Sequence, residues 1–128
     1  MPVPDFSNSP LIDHEQFDML VSTGEDDAVN MINELLGLYT GEAEPKFIEM
    51  QKAAADLDRY KFNRLAHALA GASANLGCLR LSQVCRAYEH GSKADLTRDE
   101  LVFGASAIEA LYSLSIDAMK VEITKIGK

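Results

Sequence analysis

The chain has 128 residues, 47% hydrophobic and 25% charged, a composition that fits one domain with one core and excludes a disordered or fibrous protein. Twenty acidic against twelve basic residues leave a net charge of −8, so the phosphate-neutralising surface of a nucleic-acid binder is missing, and neither DNA nor RNA is an expected partner. Cys78 and Cys85 are too few for a disulfide framework, Met1 to Pro10 lacks a basic or apolar leader, and no run nears the roughly 18 apolar residues of a membrane span. A cytoplasmic protein that does not enter the membrane is expected.

Apolar residues recur at intervals of three and four along almost the whole length, and period-two runs are absent, which predicts an all-α fold. Residues 1–11, with Pro2, Pro4 and Pro10, read as a flexible tail, and residues 12–128 as the domain. A short first helix starts near Asp13, where Asp13 and Gln16 resemble a capping box, and ends before Gly24. It presents Phe17, Leu20 and Val21. The second helix opens on Glu25, Asp26 and Asp27, which suit the positive end of its dipole, and carries Val29, Ile32, Leu36, Tyr39, Ala43, Phe47, Met50 and Ala54 in phase. The stripe keeps its phase across Pro45, so one helix with a bend there is expected.

Asp56 and Asp58 both offer N-caps for a third helix from 58 to about 79, with Phe62, Leu65, Leu69, Ala72, Leu76 and Leu79 as its apolar stripe. A fourth runs from about Ser82 to His90 and stops at Gly91. Thr97 and Glu100 form a second capping box, opening a last helix to about Ile126. Short connections make neighbouring helices antiparallel, so the elements assemble as an up-down-up-down four-helix bundle with a short additional N-terminal helix.

Charge is uneven along the chain: residues 1–57 hold twelve acids and two bases, residues 58–128 eight acids and ten bases. Between 58 and 80, Arg59, Lys61, Arg64 and Arg80 face only Asp58, which makes this the segment suited to an anion, or else a solvated helix face balancing an acidic neighbour. On this third helix His67 lies about 200° from Leu65, pointing to solvent when the leucines point inward. Tyr60, Asn63 and Arg64 share its face, and so do four small residues, Ala70, Gly71, Ala74 and Cys78. Gly71 costs the helix about 1 kcal/mol relative to Ala, so either another molecule's backbone comes close there or a neighbouring helix of the fold does. His14 and His90 sit at helix ends and read as surface residues.

The run Ala66-His67-Ala68-Leu69-Ala70-Gly71-Ala72-Ser73-Ala74-Asn75-Leu76-Gly77 resembles the signature of histidine-containing phosphotransfer (HPt) domains, H-x-L-K-G-x-S/A-x-x-x-G. His67, Leu69, Gly71, Ser73 and Gly77 fall in register, and Leu81 to Glu89 is similar to the family's next helix. The resemblance covers about residues 12–126 and agrees with the bundle derived above. It implies that His67 accepts a phosphoryl group in a His-Asp relay, that Arg64, Glu89 and Ser73 support or orient it, and that Ala70, Gly71, Ala74, Asn63 and Tyr60 form the docking surface. The implied partners are response-regulator receiver domains and a hybrid sensor histidine kinase. The implied role is a phosphoryl carrier rather than a turnover enzyme. Mg²⁺ is expected on the receiver and no cofactor on this chain, which is read as a monomer and, from Met1 and the tail, as free-standing.

An ordinary imidazole, with a pKa of about 6.5, is largely neutral at cytoplasmic pH and attacks a phosphoaspartate without a general base. Glu89 is the candidate to hold the inner ring N–H; otherwise it is a plain surface carboxylate. The sequence departs from the family at Ala70, where a Lys is usual, and Arg64, one turn before His67, is the cation that could take over. Two other readings stand beside this one. The bundle could be an adaptor that docks receiver or kinase domains without being phosphorylated, or His67, Cys78, Glu89 and His90 could hold a metal or redox site, although their spacing matches no usual ligand pattern. The cysteines otherwise read as small buried hydrophobes. Phe17, Leu20 and Val21 either extend the docking surface or cap the core, and Arg59, Lys61 and Arg64 are expected nearest the receiver's acidic pocket.

Overall fold

A computed structural model describes residues 6–93 and 95–126; of the expected tail, 1–11, residues 1–5 lie outside them, as do residues 127 and 128 of the expected domain. Five α-helices follow in order: α1 (His14–Gly24), α2 (Ala28–Ala55), α3 (Arg59–Leu76), α4 (Leu79–Gly91) and α5 (Arg98–Thr124), with a single 3-10 turn, Glu25–Asp27, between α1 and α2. Around the bundle α2 packs on α3, α3 on α4, α4 on α5 and α5 on α2, while α1 lies across α2 and α3. The helices α3 and α5 stand diagonally opposed across the core, with no close approach of their backbones. The expected four-helix bundle with an extra N-terminal helix is thus the observed fold.

Local chemistry sets most helix starts. The Asp58 carboxylate accepts the Lys61 N–H at 3.1 Å, whereas Asp56 terminates α2, its N–H bonded to Lys52 O. Thr97 and Glu100 form the reciprocal box, with the Glu100 N–H donating to Thr97 Oγ1 at 3.2 Å and the Thr97 N–H to Glu100 Oε1 at 2.9 Å. At α1 only half of the expected box exists. Asp13 accepts the Gln16 N–H, but the Gln16 amide turns away and donates to Asn75 O at 2.8 Å, tying α1 to the end of α3.

Several boundaries differ from expectation. Glu25, Asp26 and Asp27 do not start α2 but form the separate turn, with Glu25 at a positive φ of 52°. The helix α3 stops at Leu76 because Gly77 adopts φ 96°, the left-handed geometry that closes a helix and that glycine adopts without strain. That turn lets α4 begin at Leu79, three residues earlier than expected. It also pairs Cys78 with Ile12 in an isolated antiparallel bridge, with the Asp13 N–H on Gly77 O and the Leu79 N–H on Leu11 O. The segment just before α1 is therefore fastened rather than loose, and Arg80 Nε adds a 2.7 Å bond to Ser9 O.

The core runs the length of the bundle and includes Ile32, Met50, Phe62, Leu69, Leu81, Leu101, Ile108 and Met119, all fully buried. By length and composition alone α5 could cross a membrane, but Leu101, Ile108, Tyr112 and Met119 on its inner face are bundle core. Phe17 is buried and Leu20 and Val21 pack on the same core, so these three α1 residues cap it.

Candidate functional site

Position 67 is placed by the opposite face of α3. Phe62, Ala66, Leu69, Ser73 and Leu76 are buried against the bundle, which turns His67 outward with 68% of its side chain exposed. On its α4 side, Nδ1 of His67 lies 2.8 Å from Oε2 of Glu89. A carboxylate only accepts, so Nδ1 carries the proton and the lone pair is on the outer nitrogen, Nε2. Glu89 is itself only 15% exposed, and its other oxygen is buried without a hydrogen bond, 3.9 Å from Arg86 Nη1. Beneath the pair, Asn63 donates to Glu89 O at 2.7 Å, stitching α3 to α4 at the site.

The remaining predicted residues separate into those at the site and those elsewhere. Gly71 and Ala74 lie beside His67 on the exposed face, and a Cβ built at Gly71 would meet nothing within 4 Å. Packing within the fold therefore does not account for Gly71. Ala70, expected on the docking surface, is fully buried, because position 70 turns 60° from His67 towards α4. Ser73, expected beside the phosphoryl group, is also fully buried, and its hydroxyl bonds Tyr39 OH at 2.7 Å. It is a core residue linking α3 to α2.

Arg64 is exposed on the His67 side, with its guanidinium turned one helical turn back, 3.1 Å from Tyr60 OH and 5.7 Å from that ring's centroid. Tyr60 itself is 70% exposed. Arg59 is committed to other partners, and Lys61 reaches away from the site in a loose surface pair. Arg59 donates to Leu96 O at 2.6 Å and Ser92 O at 3.3 Å, holding the chain after α4, and Lys61 pairs with Glu49 at 3.8 Å. Arg64 is thus the one of the three left to the site.

Cys78 does not join the floor around His67, since the break at Gly77 removes it from the helical progression and buries it completely. Burial pushes the thiols of Cys78 and Cys85 up to about 12. Of the metal-site candidates only His67 and Glu89 meet, and among the described residues no three His, Cys, Asp or Glu side chains converge. The sequence reading missed a shallow hollow beside this face, where Leu35, Leu38, Tyr39 and Glu42 of α2 meet Ala72, Asn75 and Leu76 of α3. Leu38, 66% exposed, lies one residue off the buried stripe of α2, and that exposed apolar residue was the only signal for it.

A model of the Hpt domain matches residues 19–118. The chain belongs to the Hpt domain family. Over 83 residues the domain is 36% identical to multistep phosphorelay regulator 1 of Schizosaccharomyces pombe, a match covering 64% of this chain and 28% of that protein. The chain thus spans well under a third of that curated relative. Histidine-containing phosphotransfer protein B of Pseudomonas aeruginosa is similar in structure, with a TM-score of 0.76 at 20% identity, covering 91% of this chain and 97% of that one. A histidine-containing phosphotransfer protein of Medicago truncatula superposes at a TM-score of 0.72 and 19% identity, covering 96% and 88%. These likenesses fit the Hpt fold read from the helices.

Proposed function

We propose that this Hpt domain is a phosphorelay intermediate that accepts a phosphoryl group on His67 from a receiver-domain phosphoaspartate and passes it to another receiver. The observation that carries the reading is the oriented ring of His67, exposed to solvent and held at Nδ1 by the half-sunken Glu89. In the forward step the Nε2 lone pair forms a bond to phosphorus while the bond from phosphorus to the aspartyl oxygen breaks, leaving the receiver's carboxylate. No proton moves. The ring gains positive charge with its proton still on Nδ1, and the Glu89 carboxylate stabilises that charge. Transfer of this kind is mostly positioning and charge stabilisation. Mg²⁺ and the acidic pocket belong on the receiver in this reading, and the chain acts as a carrier, in the cytoplasm, with a hybrid sensor kinase upstream.

Arg64 is the cation proposed to steady the phosphoryl oxygens, swinging from Tyr60 over one turn of helix. Half-buried Gly71, exposed Ala74 and the hollow by Leu38 supply a flat, mainly apolar docking surface. A second reading, an adaptor that docks receivers without taking phosphate, is favoured by Ala70, which offers no cation where the family has a Lys. Transfer of acid-labile label from a phosphorylated receiver onto the wild type and onto His67→Gln decides between them. Label on the wild type alone is expected; binding without label across a panel of receivers would establish the adaptor.

A further inference from the structure

We propose that the outward face of α5 seats a second copy of this chain, packed antiparallel about a two-fold axis. Three of the large apolar side chains most exposed to solvent lie on this one helix face: Phe103 (66%), Leu114 (55%) and Val121 (53%). With Ala107 and Ala110 they follow the spacing i, i+4, i+7, i+11, i+18, an alternation of four and three that keeps all five within an arc of about 60°. The arc is directed away from Leu101, Ile108 and Met119, which fill the core. The fold leaves this stripe without a partner, and scattered surface hydrophobes would not keep coiled-coil spacing over about 27 Å of helix.

The face is complementary to itself in one direction. Placing two copies of α5 antiparallel about the turn at residue 112 sets Phe103 opposite Val121 and Ala110 opposite Leu114 of the second copy, large against small, as interdigitating helices require. The same register sets exposed Asp99 opposite Lys125 at both ends of the seam. Lys125 is 64% exposed and bonds Glu122, whose side chain is 15% exposed, at 3.1 Å, so in the pair its ammonium lies between Glu122 of its own chain and Asp99 of the second copy. Asp117 takes the i+14 position of the same spacing, about 40° from the line of Phe103, so the apolar stripe is broken there and the carboxylate falls opposite Ala107. A parallel pairing would instead set Asp99 against Asp99 and Lys125 against Lys125. Charge and size thus select a symmetric, closed pair.

The expectation of a monomer rested on a surface that offered no seam, and α5 offers one. Because α5 lies diagonally across the bundle from α3, a pair formed here leaves both His67 faces open on opposite sides. The seam is a single helix face, shorter than a standard interface, so the pair is reversible and depends on concentration.

Sedimentation of the full chain tests this, with helical content checked by circular dichroism. The wild type is expected to pass from 14.0 kDa to twice that mass as its concentration rises. Leu114→Glu, Asp99→Lys and Lys125→Asp should each remain at the single-chain mass. Mixing Asp99→Lys with Lys125→Asp should restore the pair, since each end of the mixed seam then joins opposite charges. A wild type that stays single at about 200 μM overturns the proposal. So does a pair that survives Leu114→Glu, or a mixture that stays dissociated.

Discussion

Gly104 of α5 lies directly beneath the ring of Tyr88 of α4, with no room for a Cβ between the helix backbone and Cε1. This close approach sets the spacing of α4 against α5 and so the height at which α4 presents Glu89, the neighbour of Tyr88, to His67. Replacing Gly104 with Ala gives the helix a better former but drives a methyl into the aromatic ring, and the second effect is larger. Urea unfolding of Gly104→Ala is expected to show a loss of about 1–3 kcal/mol, and unchanged stability would contradict the packing described.

Gly71 gives the opposite result for a stated reason. Its backbone meets nothing of this chain within 4 Å, so Gly71→Ala should raise stability by about 0.5–1 kcal/mol through helix propensity alone. Transfer from a receiver is expected to fall in the same protein, because the added methyl stands on the proposed docking floor. Equal gains in stability and transfer would remove the docking role.

In the proposed relay Glu89 positions the ring of His67, a role with a spectroscopic signature. In Glu89→Ala the neutral ring of His67 loses the acceptor that keeps its proton on Nδ1, and ring nitrogen shifts should move towards the tautomer protonated on Nε2. Phosphoryl transfer is expected to slow about tenfold, the equivalent of about 1.4 kcal/mol of charge-assisted hydrogen bonding. A normal tautomer with slowed transfer would point to some other defect.

The Tyr39–Ser73 hydrogen bond joins two buried hydroxyls from helices α2 and α3. Tyr39→Phe or Ser73→Ala alone should cost about 1–3 kcal/mol, since each strands the other hydroxyl in the core. The double variant should cost less than the two singles together. Strict additivity in thermal unfolding would show that the bond contributes nothing.

Alkali should unfold the protein by a route that involves its cysteines. Both thiols are raised from 9.0 to about 12 by burial, so the folded state holds protons that the unfolded chain releases. Their contribution is fully present below pH 9 and is lost as pH rises towards 12. Stability measured by urea should decline across that window, and less steeply in Cys85→Ala. At pH 8 a thiol reagent should label the protein only once it unfolds.

Features that depend on near neighbours in sequence were readable before the fold was known. The Asp58 cap, the Thr97–Glu100 box and the outward turn of His67 all follow from residues within one or two turns. Ser73 and Arg59 could not be read this way, because their partners, Tyr39 and the carbonyls of Ser92 and Leu96, lie more than thirty residues distant. Cys78 was misplaced for a different reason: a helical wheel assumes the helix continues, and one left-handed glycine, Gly77, ends it. Ala70 was misplaced because 60° of rotation is enough to cross from the solvent to the shadow of α4.

The bare floor around His67 has a consequence for the identity of its partners. A molecule that reaches the imidazole meets main chain at Gly71 and a methyl at Ala74, groups that carry no donor pattern and no charge by which to tell one visitor from another. Discrimination then falls to the periphery, to Arg64 and Tyr60 at one end and Leu38 on the neighbouring helix, where side chains differ in shape and charge. In the proposed relay chemistry and recognition are thereby separated in space, so substitutions at the periphery are expected to redirect the domain to a new partner while leaving His67 untouched.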